Sequence, residues 1–126
     1  MRRVAAILVI ALLLAACSES PFVPPLDPSG SWSGTWRSTG ASTSLSVVFT
    51  KTATGWQGIF RSNNTDLIAQ CGNLEDEGPR YLWCAAYTAV EILTWEGDVN
   101  GDTWAGVWTY IGSTMNTGGS FTLYRN

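Results

Sequence analysis

The sequence contains no histidine. That removes imidazole general bases, Ser–His and Cys–His nucleophile pairs, and His-ligated zinc or copper from the available chemistry. An enzyme is therefore not expected, and neither is a cofactor. Cationic side chains are also scarce: seven Lys plus Arg stand against ten Asp plus Glu in 126 residues, a net charge of −3. Such a surface argues against nucleic acid as a partner and against electrostatic docking on anionic lipid. Amphipathic helical periodicity is lacking along the whole chain. Cysteine is limited to three residues, whereas tryptophan reaches seven.

The amino terminus differs in kind from the rest. Arg2 and Arg3 precede an apolar run over 4–16. A basic start, about a dozen apolar residues and small residues before a cut describe a secretory signal peptide. A membrane-spanning helix needs about twenty. Leu14-Ala15-Ala16-Cys17 closes this run and resembles the bacterial lipobox. That resemblance implies cleavage before Cys17, lipidation of its thiol, and a protein anchored in the cell envelope. Ser18 after the Cys, in place of Asp, implies the periplasmic face of the outer membrane in a Gram-negative cell. Loss of Arg2 and Arg3 leaves five basic residues against ten acidic ones, a net charge of −5. The expected organisation is a signal peptide over 1–16, a lipidated Cys with a tether over 17–29, and one domain over 30–126. The tether carries four Pro and reads as an extended spacer. With Cys17 carrying lipid, Cys71 and Cys84 remain as a pair in an oxidising compartment, and a disulfide between them is expected.

From Gly30 onward the chain alternates. Gly30-Ser31-Trp32-Ser33-Gly34-Thr35-Trp36 places Trp32, Gly34 and Trp36 on one face and hydroxyls on the other. The phrase returns as Trp56-Gly58-Phe60, Trp95-Gly97-Val99 and Trp104-Gly106-Trp108. Strands are expected over 30–38, 44–52, 56–62, 65–72, 80–87, 91–99, 102–111 and 120–125. Loops are expected over 38–44, 72–80 and 113–119, and 88–90 is either a turn or a short helix. Asn63-Asn64 and Asn100-Gly101 carry turn chemistry, the latter being the strongest short-range hairpin signal. Eight short strands in simple succession predict an all-β fold, an eight-stranded antiparallel up-and-down β-barrel.

Closure would set Trp32 beside Arg125, an indole under a guanidinium. Cys71 and Cys84 would face each other across the acidic loop. If they point inward, Tyr81, Trp83 and Tyr87 form an outward patch suited to a protein partner. If outward, those aromatics fill the core.

Gly30-Ser31-Trp32 with Arg125 on the last strand resembles the signature of the calycins, which include lipocalins, fatty-acid-binding proteins and avidins. Gly34-Thr35-Trp36 and Trp56-Gln57-Gly58-Ile59-Phe60-Arg61-Ser62 resemble avidin strands. The resemblance implies a barrel with a ligand-binding interior. It does not imply biotin: Ser38, Phe60 and Gly118-Gly119 stand where avidins carry polar partners.

Two readings of the Trp-x-Gly repeats follow. They are barrel core, with each Gly making room for a Trp, or they line a pocket for a small hydrophobic ligand. On the second reading Trp36, Trp56, Phe60, Trp95, Trp104 and Trp108 are the candidate ligand-binding residues. An envelope protein docking on the outside, in the manner of a protease inhibitor with a filled core, is the alternative. Asp98-Val99-Asn100-Gly101-Asp102 mimics the start of a calcium loop, but Thr103 and Thr109 occupy the positions that require Gly and Glu. A hairpin turn explains the same residues, and no metal site is expected.

Overall fold

A computed structural model describes residues 26–126; Cys17, the signal segment and most of the tether lie outside the described residues. Eight strands follow one another: β1 Gly30–Ser38, β2 Ala41–Thr52, β3 Gly55–Ser62, β4 Thr65–Asn73, β5 Tyr81–Tyr87, β6 Ile92–Asn100, β7 Thr103–Ile111 and β8 Asn116–Arg125. Each pairs antiparallel with its chain neighbours, and β1 pairs with β8 to close the barrel. This is the closed meander that the alternation predicts. Its architecture is compatible with the calycin-like resemblance.

Period two decides which side chains enter. Leu45, Val47 and Phe49 of β2 are buried, as are Trp95 and Val99 of β6 and Trp104 and Trp108 of β7. The turns carry the left-handed backbone their residues favour: Asn63 and Asn64 have φ of 50° and 61°, Gly40 75° and Gly101 60°. Residues 88–91 form a turn. The Thr88 hydroxyl accepts from the Glu91 N–H at 3.1 Å, and the Thr88 N–H donates to the Glu91 carbonyl at 2.9 Å. The acidic loop holds a 3₁₀ turn, Glu75–Glu77, and Asn73 Nδ2 ties it together by donating to the carbonyls of Gly78 and Tyr81.

Two strands begin earlier than the side chains announce. β2 starts at Ala41 and β8 at Asn116, where loops are expected. Thr39 and Gly40 alone turn the chain between β1 and β2. Asn116 to Gly119 pair with Ile111 to Trp108 although they supply no apolar alternation. Gly119 lies so close to its neighbours that an added Cβ would overlap the Arg37 carbonyl oxygen. Backbone pairing, which leaves no mark in hydropathy, extends the strand.

The glycines of the repeat also differ in role. Gly58 makes room as expected, since a Cβ there would stand 2.9 Å from the Phe60 ring, 3.2 Å from Phe49 and 3.3 Å from the Cys71 sulfur. At Gly34, Gly97 and Gly106 a Cβ would instead overlap the backbone carbonyl oxygens of Thr122, Ala105 and Glu96. These three let adjacent strand backbones close in at the bends a small barrel needs.

One end of the barrel is sealed. Arg125 stacks on Trp32 with its guanidinium carbon 4.4 Å from the ring centroid. Its Nε donates to Asp102 at 3.1 Å, and its remaining nitrogens donate to the carbonyls of Asp27 and Ser29. Trp32 Nε1 donates to the Pro28 carbonyl at 2.8 Å, and Pro28 is buried. Residues 26–29, read in the sequence as the end of the tether, thus pack across this end as a plug. The Ser29 hydroxyl and backbone N–H hold the Asp27 carboxyl below its ordinary pKa.

Candidate functional site

The interior above that seal is solid. Phe60 stacks flat on Trp95, with centroids 3.8 Å apart and planes 7° from parallel. Trp104 meets Phe121 edge-on at 4.7 Å and Phe49 at 5.7 Å. Trp104 Nε1 donates to the Gly97 carbonyl at 3.1 Å. The Trp95 indole N–H is buried without an acceptor, a cost of about 1–3 kcal/mol carried by the aromatic packing around it.

The opposite end is open. It is formed by the inward residues nearest the turns at 39–40, 63–64, 88–91 and 112–115. On β1 and β7 these are Trp36, Trp108 and Tyr110. On β4, β5 and β6 they are Leu67, Ala86 and Leu93. The first group is large and the second smaller, so a cavity of about 630 Å³ remains against the β4–β5 side. Trp36 forms its inner wall, 5.1 Å from Trp108 and 6.0 Å from Trp95 between centroids. Trp108 is fixed by donating from Nε1 to the Arg37 carbonyl at 2.8 Å.

Strand pairing explains why the cavity also reaches the side of the barrel. Between β4 and β5 only positions 70–73 and 82–85 pair, whereas neighbouring β5 and β6 pair over seven positions. Residues 65–69 of β4 are paired with β3 alone. Above Gln70 and Ala85 the two strands part, and Asp66, Ile68 and Tyr87 join the cavity lining through the gap. The Cys71–Cys84 disulfide sits one position below the split. Both cysteines are buried and point inward. Of the aromatics this sends outward, Tyr87 is 61% exposed, while Tyr81 and Trp83 are half-buried.

The six aromatics singled out in the sequence therefore separate by depth. Trp36 and Trp108 line the cavity. Phe60 and Trp95 line a smaller adjoining hollow of about 200 Å³ that shares Trp36 and Leu67 with it. Trp56 is half-buried and packs against the core, and Trp104 is fully buried within it; neither lines either space. By alternation Leu93 and Tyr110 read as inward and Leu67 shares a face with Cys71, but none of the three reads as a site residue; Tyr87 reads only as part of an outward patch, Glu91 only as a surface charge, and Met115 carries no signal. Proximity of an inward position to a turn at the open end is what would have found the first three.

Among the described residues, Asp66 and Glu91 are the charged side chains lining the cavity. Asp66 faces Arg61 at 3.5 Å on the exposed outer side. Glu91 takes part in neither described ion pair. The Glu91 carboxylate beside it, with desolvation, holds the Tyr110 phenol above its ordinary pKa. No group of three or more potential metal ligands occurs among the described residues. Comparison with protein-family models, with curated proteins and with solved structures finds no match to this chain.

Proposed function

We propose that this is a lipid-anchored cell-envelope protein that binds a small, largely apolar ligand at the open end of its barrel. The cavity carries the reading. About 630 Å³ lined by Trp36, Trp108, Tyr110, Leu67 and Leu93 falls in the size range of small-molecule sites, about 300–1,000 Å³, and has their mainly apolar character. The solid interior beneath it limits a ligand to the mouth. Anchorage rests on the lipobox-like Leu14-Ala15-Ala16-Cys17, and a binding role in place of catalysis rests on the lack of histidine.

Titration with a neutral alkanol such as octanol tests the site. Trp36 and Trp108 fluorescence should shift to shorter wavelength and saturate. A Trp36→Ala substitution should weaken binding about tenfold, since losing one aromatic contact costs on the order of 1–1.5 kcal/mol. A spectrum indifferent to apolar ligands would sink the proposal.

A second reading is a protein-interaction module, and one observation favours it. Val48, Ile59 and Ile68 lie in register across β2, β3 and β4 and are 48%, 39% and 60% exposed. An outward aliphatic row amid polar side chains is a candidate contact surface. Substituting Ile59→Lys should abolish retention of an envelope partner on this reading while leaving octanol binding unchanged; undiminished retention would remove it.

A further inference from the structure

The mouth is apolar, but its charge is of one sign. Resting on the ligand-binding reading above, we propose that it selects an apolar cation, a hydrophobic amine carried as its ammonium, over a fatty acid or a neutral lipid of the same length. Three features converge on this. Glu91 lines the cavity without a cationic partner, and no Lys or Arg lines it among the described residues. A ligand carboxylate entering here would meet Glu91, with no cation in the lining to compensate it, whereas an ammonium would find Glu91 without an ion-pair partner. Next, the walls are aromatic: Trp36, Tyr87, Trp108 and Tyr110 line the cavity, and an aromatic ring face attracts a cation. Finally, the position of Glu91 suits a head group. It lies in the β5–β6 turn at the rim, held there by the Thr88 hydrogen bonds to its backbone, while Leu67, Ala86 and Leu93 lie on the apolar side of the cavity. An alkyl chain would occupy that side, and the gap between β4 and β5 gives a longer chain room to pass outward.

The neighbouring groups do not undo this arrangement. Arg61 pairs with Asp66 at 3.5 Å on the exposed outer side, and neither it nor Arg37 lines the cavity. Tyr110 lines the cavity together with Glu91, and its phenol, held above its ordinary pKa, is neutral at neutral pH and adds no charge to oppose an ammonium. Thr117 adds a hydroxyl to the lining that can accept from an ammonium.

The test compares three ligands of one chain length, octylamine, octanol and octanoate, titrated into the full-length protein at neutral pH with tryptophan fluorescence as the readout. The amine is then protonated, as a lysine is. One rim carboxylate and the surrounding rings should make octylammonium bind about three- to tenfold tighter than octanol, with octanoate weakest. Glu91→Gln should bring octylammonium down to the affinity of octanol and leave octanol unchanged. Raising the ionic strength should weaken octylammonium alone, which gives a readout on the unsubstituted protein should the variant fold poorly. Tyr110→Phe, which keeps the ring in the lining, should retain the preference. Octanoate binding as tightly as octylammonium, or a preference that survives both Glu91→Gln and high salt, overturns the inference while leaving a ligand site. Failure of all three ligands to bind overturns the ligand-binding reading itself, and the inference with it.

Discussion

A Trp104→Ala substitution is expected to cost about 3–5 kcal/mol of folding stability. Small domains have about 5–15 kcal/mol in total, so the variant should unfold near or below physiological temperature. Trp104 is fully buried and touches Phe49, Phe60 and Phe121, with centroids between 4.7 and 6.2 Å away. Truncation opens a cavity at the centre of the aromatic stack and strips Gly97 of the indole donor to its carbonyl. The strands cannot collapse into the space, because Gly97 and Gly106 already bring their backbones to closest approach. Thermal and denaturant unfolding measure the loss. Trp104→Phe, which keeps a six-membered ring and loses the pyrrole ring with its N–H, should cost less. Equal effects from both would show that the phenyl part of the ring adds nothing to this layer. The position lies away from the mouth, so whatever fraction of the variant folds should bind apolar ligands as the parent does.

Removing the disulfide should be the second large effect. A loop of ~14 residues closed by Cys71 and Cys84 contributes on the order of 3 kcal/mol in the chain-entropy model. Converting both cysteines to Ala should lower the melting midpoint by about 10–20 °C for a domain of this size. The location makes a sharper statement than the magnitude. β4 and β5 pair over four positions only, and the bridge joins the second of these below the split. Without it, the split should run downward. Amide exchange should then rise first at 70–73 and 82–85, before the β6–β7 hairpin, whose nine paired positions are independent of the bridge. Uniform loss of protection across the barrel would mean that the seam is no weaker than the rest.

These effects describe a barrel divided along its length. Its lower part is a filled aromatic core under a plug made by residues 26–29, Trp32 and Arg125. Its upper part is a mouth left open by small residues on β4 and β5 and by the early end of their pairing. The Trp-x-Gly repeats thus divide by depth. Trp104 belongs wholly to the core. Trp36 and Trp108 belong to the cavity wall, and Phe60 and Trp95 form the boundary between the two.

Residue order alone determined the strand count, the inward face of most strands, the turns at Asn63-Asn64 and Asn100-Gly101, the closure of Trp32 against Arg125 and the pairing of Cys71 with Cys84. Most of these are properties of adjacent residues or of strands next to each other in the chain, which alternation with period two records directly, and the closure of the first strand on the last follows from a meander that leaves no edge. The tertiary structure decided the rest. It set which way the cysteines point, made Gly34, Gly97 and Gly106 points of backbone approach, carried β8 back to Asn116, and ended the β4–β5 ladder at Gln70 and Ala85. It also chose which inward residues meet empty space. That choice depends on strand tilt and stagger, which set the height of each residue in the barrel. Leu67, Leu93 and Glu91 reach the mouth because six other strands place them there, and no local pattern in the chain encodes that height.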